Sequence, residues 1–140
     1  MHFVTRPQPP NIARRRSPIA GWGVFASESI NKNTRIVEYT GEKISRRESD
    51  RRERRQNARG LVWCFIINSR WARDAAVGGN IARYINHACR PNCYIEVKGD
   101  VIWIRAARRI AAGEELTYDY SLDRELGLSF RCRPGCPRIM

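Results

Sequence analysis

The decapeptide YINHACRPNC, Tyr84 to Cys93, sets an Asn-His pair, two cysteines and a Pro-Asn step between segments that look like β-structure. From its residues alone it is a metal site, a nucleophile or a tight structural corner. On either side, LVWCFIIN (Leu61–Asn68) reads as a buried strand. VIWI (Val101–Ile104) reads as another, entered by a Lys98-Gly99-Asp100 turn. Beyond it, ARRIAAGEELTYDYS turns at Ala112-Gly113 and ends in a last strand, Glu115 to Tyr118.

Toward the N-terminus, short β-rich pieces at Gly23–Ala26 and Arg35–Tyr39 are separated by Gly, Asn and Ser turn chemistry. One helix is expected, over SRRESDRRERRQNARG. Ser45 can cap it, Glu48 completes a capping box, and Glu48–Arg52 and Asp50–Arg54 are acid-first i,i+4 pairs. With almost no apolar stripe, it is expected to be a solvated surface helix rather than a core element. Residues 1–13 are Pro-rich and read as an arm, residues 14–122 as one domain with the helix at about 45–57 as an insert, and 123–140 as a short tail. The fold class is mainly β.

A chain of 140 residues can bury one real core. No apolar run nears the roughly 18 residues of a membrane span, and the first residues lack a signal-peptide core. A soluble protein of a reducing compartment is expected, its five cysteines thiols or metal ligands. Net charge is +12, with lysine only at Lys32, Lys43 and Lys98. That balance favours acidic partners or nucleic acid; arginine usage on solvated faces explains it equally well.

Three further motifs are ambiguous singly. GWGVFA (Gly21–Ala26) permits close approach of backbone to a polar ligand, yet a tight turn beside a core Trp is the commoner reading. GEELTYDY ends in Tyr118 and Tyr120, whose hydroxyls, with a pKa of about 10, are poor bases but able hydrogen-bonding groups. FRCRPGC places Cys132 and Cys136 with three residues between them, and a tetrahedral zinc site needs four ligands. Cys93 is the nearest third.

In sequence order, GWGVFA, EYTGE (Glu38–Glu42), GNIARYINHACRPNC (Gly79–Cys93), GEELTYDY and a cysteine-bearing tail resemble the motif series of SET-domain protein-lysine methyltransferases. The resemblance covers roughly Arg15 to Cys136. It implies a SET (β-clip) fold of small antiparallel sheets with few short helices and a C-terminal pseudoknot. It also implies S-adenosylmethionine as cofactor. The backbone of Gly21, Trp22 and Gly23, with Asn86 and His87, would bind it, and Arg83 and Tyr84 would line the same wall. His87 would act mainly through its backbone, not as a base or metal ligand.

By the same resemblance Tyr120 matches the catalytic tyrosine, and Tyr118 the aromatic that limits methyl number, which implies mainly mono- to dimethylation. The substrate would be a protein with an exposed lysine, a histone or a basic DNA-binding protein, with acidic patches at Glu114-Glu115 or Asp119-Asp123 meeting basic tails. Three departures stand out. Trp63 replaces a channel tyrosine, Ala88 the serine of NHSC, and Phe130 the first tail cysteine. With Cys93, Cys132 and Cys136, three of four zinc ligands remain, and Cys89 is expected to be a packing thiol.

No cysteine-rich segment or reader domain is seen, so substrate choice is expected in the domain or a partner. The chain would be a monomer or homodimer without membrane association. It would be cytoplasmic if prokaryotic, which the compact build fits, and nuclear if eukaryotic. A non-catalytic basic module binding chromatin or nucleic acid is the alternative.

Overall fold

The alternation of β9 (Val101–Ala106) organises the core. Ile102, Ile104 and Ala106 point inward and are fully buried, while the residues between them are only partly covered. In the computed structural model, which describes residues 8–120, β9 is the middle strand between β3 (Arg35–Glu38) and β8 (Cys93–Lys98), antiparallel to both. The β8–β9 hairpin closes at Gly99-Asp100, where Gly99 takes φ 61°. That is the positive angle a II′ turn demands at its first central position, as the sequence led us to expect.

Three smaller sheets surround this one. β1 (Ile12–Arg16) pairs antiparallel with β2 (Trp22–Ala26), so Ile12 and Ala13, expected in the arm, belong to a strand. β4 (Glu42–Ser45), β6 (Trp71–Asp74) and β5 (Cys64–Ile66) form an antiparallel trio. The strand expected over Leu61–Asn68 is thus confined to three residues, because Leu61, Val62 and Trp63 line a cleft instead. β7 (Asn86–His87) and β10 (Thr117–Tyr118) pair in parallel, a short exception to the antiparallel pattern.

The helix α1 (Arg46–Ala58) is capped by Ser45, whose Oγ accepts from the Glu48 N–H at 3.1 Å. The other half of the expected box gives way to ion pairing, as the Glu48 carboxylate takes Arg51 at 2.6 Å and Arg52 at 3.0 Å. No Asp50–Arg54 pair forms among the described residues. Nor is the helix simply solvated. Ser49 and Glu53 are buried, Arg52 Nη1 donates to Asp74 at 3.0 Å, and Gln56 Nε2 donates to the other Asp74 oxygen at 2.9 Å. Its inner face packs by polar contacts onto β6, which is why no apolar stripe marks it.

Among the described residues there is one α-helix and one 3₁₀ turn, Ile81–Tyr84. No helix among them is long and apolar enough to cross a membrane. Val24, Ile36, Tyr39, Ile85, Cys93, Ile104, Ile110 and Leu116 meet in one core. The loop before the 3₁₀ turn comes so close to its neighbour that a Cβ on Gly79 would lie 2.0 Å from the Ala75 carbonyl oxygen. Asn92, nearly buried, ties the two key motifs together: its Nδ2 donates to Glu115 O at 2.8 Å and its Oδ1 accepts from Thr117 N at 2.9 Å. The expected threading of the chain end and the tail at 123–140 lie outside the described residues.

Candidate functional site

The β7–β10 pairing brings the Asn-His motif beside Tyr118 and Tyr120, and the start of β2 closes over them. The result is a cleft of about 450 Å³. Seven expected residues line it: Gly21, Trp22, Arg83, Tyr84, Asn86, His87 and Tyr120. Gly23 lies just behind this wall, and Tyr118 is buried next to Tyr120. Leu61, Val62 and Trp63 complete the rim.

One wall is the GWG turn. Ser17 N donates to Gly21 O at 2.8 Å and Gly21 takes φ 44°. The turn is held from below by Asn86, whose Nδ2 donates to Ala20 O and Trp22 O, each at 3.1 Å, and to Glu115 Oε2 at 2.9 Å. Ser17 Oγ donates to the same carboxylate at 2.8 Å. Gly23 makes room for it, since a Cβ there would sit 2.3 Å from Glu115 Oε2.

Glu115 is therefore a site residue that sequence reasoning missed, because an acidic pair in GEEL reads as surface charge. Its neighbour Glu114 is engaged as well: Arg108 donates to it at 2.7 Å, and this contact, with the Ala111 N–H, holds its pKa low. The acidic patch expected at Glu114-Glu115 is thus taken up within the chain. Asp119 Oδ1 lies 3.8 Å from His87 Nδ1, and Asp123 is outside the described residues.

The rim carries alternating cations and rings. Arg14 and Arg16, on one face of β1, each stand 4.4 Å from the Trp22 ring centre. Arg14 also lies 4.9 Å from Tyr84, Arg83 lies 4.9 Å from Tyr84, and Arg83 lies 4.6 Å from Trp63. Such contacts are worth about 0.5–1 kcal/mol each at exposed sites. Arg83 Nη2 donates to the Tyr84 hydroxyl at 2.8 Å, which, with Arg14 adding to it, lowers the Tyr84 pKa. Guanidinium groups so placed suit a carboxylate. The alternation of Arg14 and Arg16 in RRR was the only hint.

The floor is aromatic. Tyr118 and Tyr120 rings lie 4.7 Å apart, Phe65 is 6.1 Å from Tyr118, and Tyr39 is 5.3 Å from Phe65. The Tyr39 hydroxyl donates to Trp63 O at 2.7 Å, fixing the residue that replaces the expected tyrosine. The Tyr120 hydroxyl donates to the Ile85 carbonyl, and a hydroxyl that donates can also accept. His87 Nδ1 accepts from the Tyr120 N–H at 2.9 Å, so Nε2 carries the proton of the neutral ring. This imidazole holds Tyr120 in place.

The two cysteines of the decapeptide sit in different surroundings. Cys93 is 1% exposed in the apolar core, and burial pushes its pKa up to about 12. Cys89, expected as a packing thiol, is instead half-buried and disulfide-bonded, with Sγ 3.3 Å from His87 Nε2. No group of three or more His, Cys, Asp or Glu among the described residues is arranged to hold a metal. Cys132 and Cys136 lie outside the described residues.

A fold of small sheets with a turn-walled cleft and a paired-tyrosine floor can be compared with known proteins. The family model described as SET domain matches residues 21–121. The Neurospora crassa protein named Histone-lysine N-methyltransferase, H3 lysine-4 specific, is 44% identical over 83% of this chain and 9% of its own length. Human Histone-lysine N-methyltransferase 2D is 44% identical over 82% of the chain and 2% of its own length. Drosophila melanogaster Histone-lysine N-methyltransferase trr is 42% identical over 82% and 5%.

Among solved structures, a humanized mutant of the Chaetomium thermophilum Polycomb Repressive Complex 2, bound to an inhibitor, superposes with TM-score 0.68 at 35% identity. It covers 84% of this chain and 16% of that one. The chain belongs to the SET-domain family. It spans at most 9% of the length of these three curated relatives, all of them eukaryotic, which gives the prokaryotic expectation no support.

Proposed function

We propose that the chain transfers a methyl group from S-adenosylmethionine to the ε-amine of a lysine in a histone or histone-like protein, giving mainly mono- to dimethyl product. The observation that carries this is the Tyr118–Tyr120 pair, rings 4.7 Å apart, on the floor of a cleft walled by the GWG turn and the Asn-His pair. The names of the relatives support the reaction and the substrate class, and a nuclear location goes with that substrate. The cleft residues fit the cofactor by chemistry. Arg83 at the rim suits its carboxylate, carbonyls of the Gly21–Gly23 turn suit its ammonium, and the rings suit adenine and cationic groups.

When bound, S-adenosylmethionine supplies a methyl group activated by a sulfonium, open to direct displacement by an amine. The protein must supply that amine neutral and aligned. A free lysine side chain has a pKa of about 10.4, so deprotonating it at pH 7 costs roughly 4–5 kcal/mol. Desolvation among Tyr118, Tyr120, Phe65 and Trp63 lowers this cost by disfavouring the ammonium. The Tyr120 hydroxyl and the Ile85 carbonyl lie together where they can orient the nitrogen, and such alignment itself lowers the barrier. Zinc at Cys93 forms no part of this reading.

The test is tritiated methyl transfer from S-adenosylmethionine to histones. Wild type should label them, and Tyr120→Phe should lose about 100-fold in rate. A non-catalytic basic module would bind nucleic acid without needing the cofactor. Calorimetry that finds no cofactor binding rejects the enzyme reading in its favour.

A further inference from the structure

The site described above uses nothing of the outer face of α1, and that face has a character of its own. Of the three carboxylates on the helix, Glu48 and Glu53 are engaged or buried and Asp50 is exposed. Glu48 turns to Arg51 and Arg52, Glu53 is buried, and Arg52 holds Asp74. Arg47, Arg51, Arg54 and Arg55 are exposed. At roughly 100° per residue they share one arc about 100° wide. Only Arg51 of these four ion-pairs with a described residue.

Arg51, Arg55 and the C-cap residue Arg59 follow one another at i,i+4 and line a groove of about 390 Å³ against Leu61 and Trp63. A helix shaped only for solubility interleaves carboxylates at such positions. Here Arg47, Arg51, Arg55 and Arg59 set like charges at every i,i+4 step, an arrangement unfavourable in itself. A polyanion laid along the helix relieves it.

We propose that this arginine face docks on the phosphate backbone of double-stranded DNA. Arg47, Arg51, Arg54 and Arg55 gather four guanidinium groups on one arc of the helix, and a duplex carries about one negative charge per 1.7 Å of its axis to meet them. A duplex offers such a row without having to fold. The net charge of +12 points the same way, since it repels basic histone tails but draws the protein to DNA. If the substrate is a histone, which rests on the reading above, the duplex wound on it is the polyanion at hand. The contact would then set where the lysine cleft meets its target.

Fluorescence anisotropy on the full chain with a labelled 30-base-pair duplex, over about 50–200 mM salt, tests this. The triple variant Arg47→Gln, Arg54→Gln, Arg55→Gln should bind at least about 10-fold more weakly, with a salt slope lower by about 2–3. The matching triple lysine variant should keep the slope and most of the affinity. Glutamine and lysine are both good helix formers, and melting curves close to wild type confirm the fold.

Equal affinity and slope for wild type and the glutamine variant overturn the proposal. So does a wild type that fails to bind at 50 mM salt, or one that prefers single-stranded RNA of equal length. Free histone-peptide methylation should be unchanged in the glutamine variant, while nucleosome methylation falls. DNA binding as stated but no methylation of any substrate by wild type would reject the enzyme reading and leave this one standing.

Discussion

In the proposed reaction Tyr118 is the single residue that would set the product. Its ring is buried between Phe65 and Tyr120, and on the proposed reading its hydroxyl limits how many methyl groups the amine can take. Tyr118→Phe should raise the methyl count on a histone peptide, read by mass spectrometry; a trimethylating wild type sinks the assignment. Gly23 acts more indirectly. A methyl group there would overlap Glu115 Oε2, displacing the carboxylate that holds Asn86 and Ser17. Gly23→Ala should therefore weaken cofactor binding by about tenfold, roughly one lost charge-assisted hydrogen bond, with a smaller effect on melting. Glycine in GWG was legible as a close approach, but to a ligand; that Glu115 is the group approaching depends on a residue 92 positions away, which no local pattern encodes.

At the scale of elements, α1 is held by charge instead of by apolar burial. Asp74 is 2% exposed, paired with Arg52 and Gln56, and it accepts from the Ala76 N–H at 2.9 Å. Asp74→Ala leaves Arg52 with Glu42 and Glu48 only. Chemical denaturation should report a loss of about 2 kcal/mol, below that of a fully orphaned buried charge. Glu48 gives α1 an acid limit as well. Hydrogen bonds from Arg51, then Arg52, lower its pKa from 4.5 to about 2. A lowered folded pKa means its contribution is present above about pH 4.5 and lost as pH falls through about 2. Circular dichroism between those values should show helix loss in wild type and a flatter profile in Glu48→Gln.

Across the whole molecule, two buried thiols link stability to alkali. Burial raises Cys64 and Cys93 from 9.0 to about 12, with Asp74 adding to the effect at Cys64. Both stay protonated in the fold, so their contribution is complete below about pH 9 and disappears as pH rises toward 12. Melting temperature should fall over that range more steeply in wild type than in Cys64→Ala, Cys93→Ala. The native thiols should react slowly with Ellman's reagent at pH 8. Equal slopes would mean that water reaches both sites.

The sequence alone determined what depends on near neighbours: the hairpin at Gly99, the Ser45 cap, the strand at Val101–Ile104, and the order of motifs that marks a SET domain. Local sterics and period-2 or period-3.6 burial write such features into short stretches. Only the tertiary structure decided which groups meet. It placed Cys93 in the core and Cys89 against His87, turned Glu115 inward to Asn86, and set Arg14 between Trp22 and Tyr84. It also gave α1 a buried polar face and an exposed arginine face. These pairings join residues far apart in the chain, and their energies depend on burial and on the geometry of both partners.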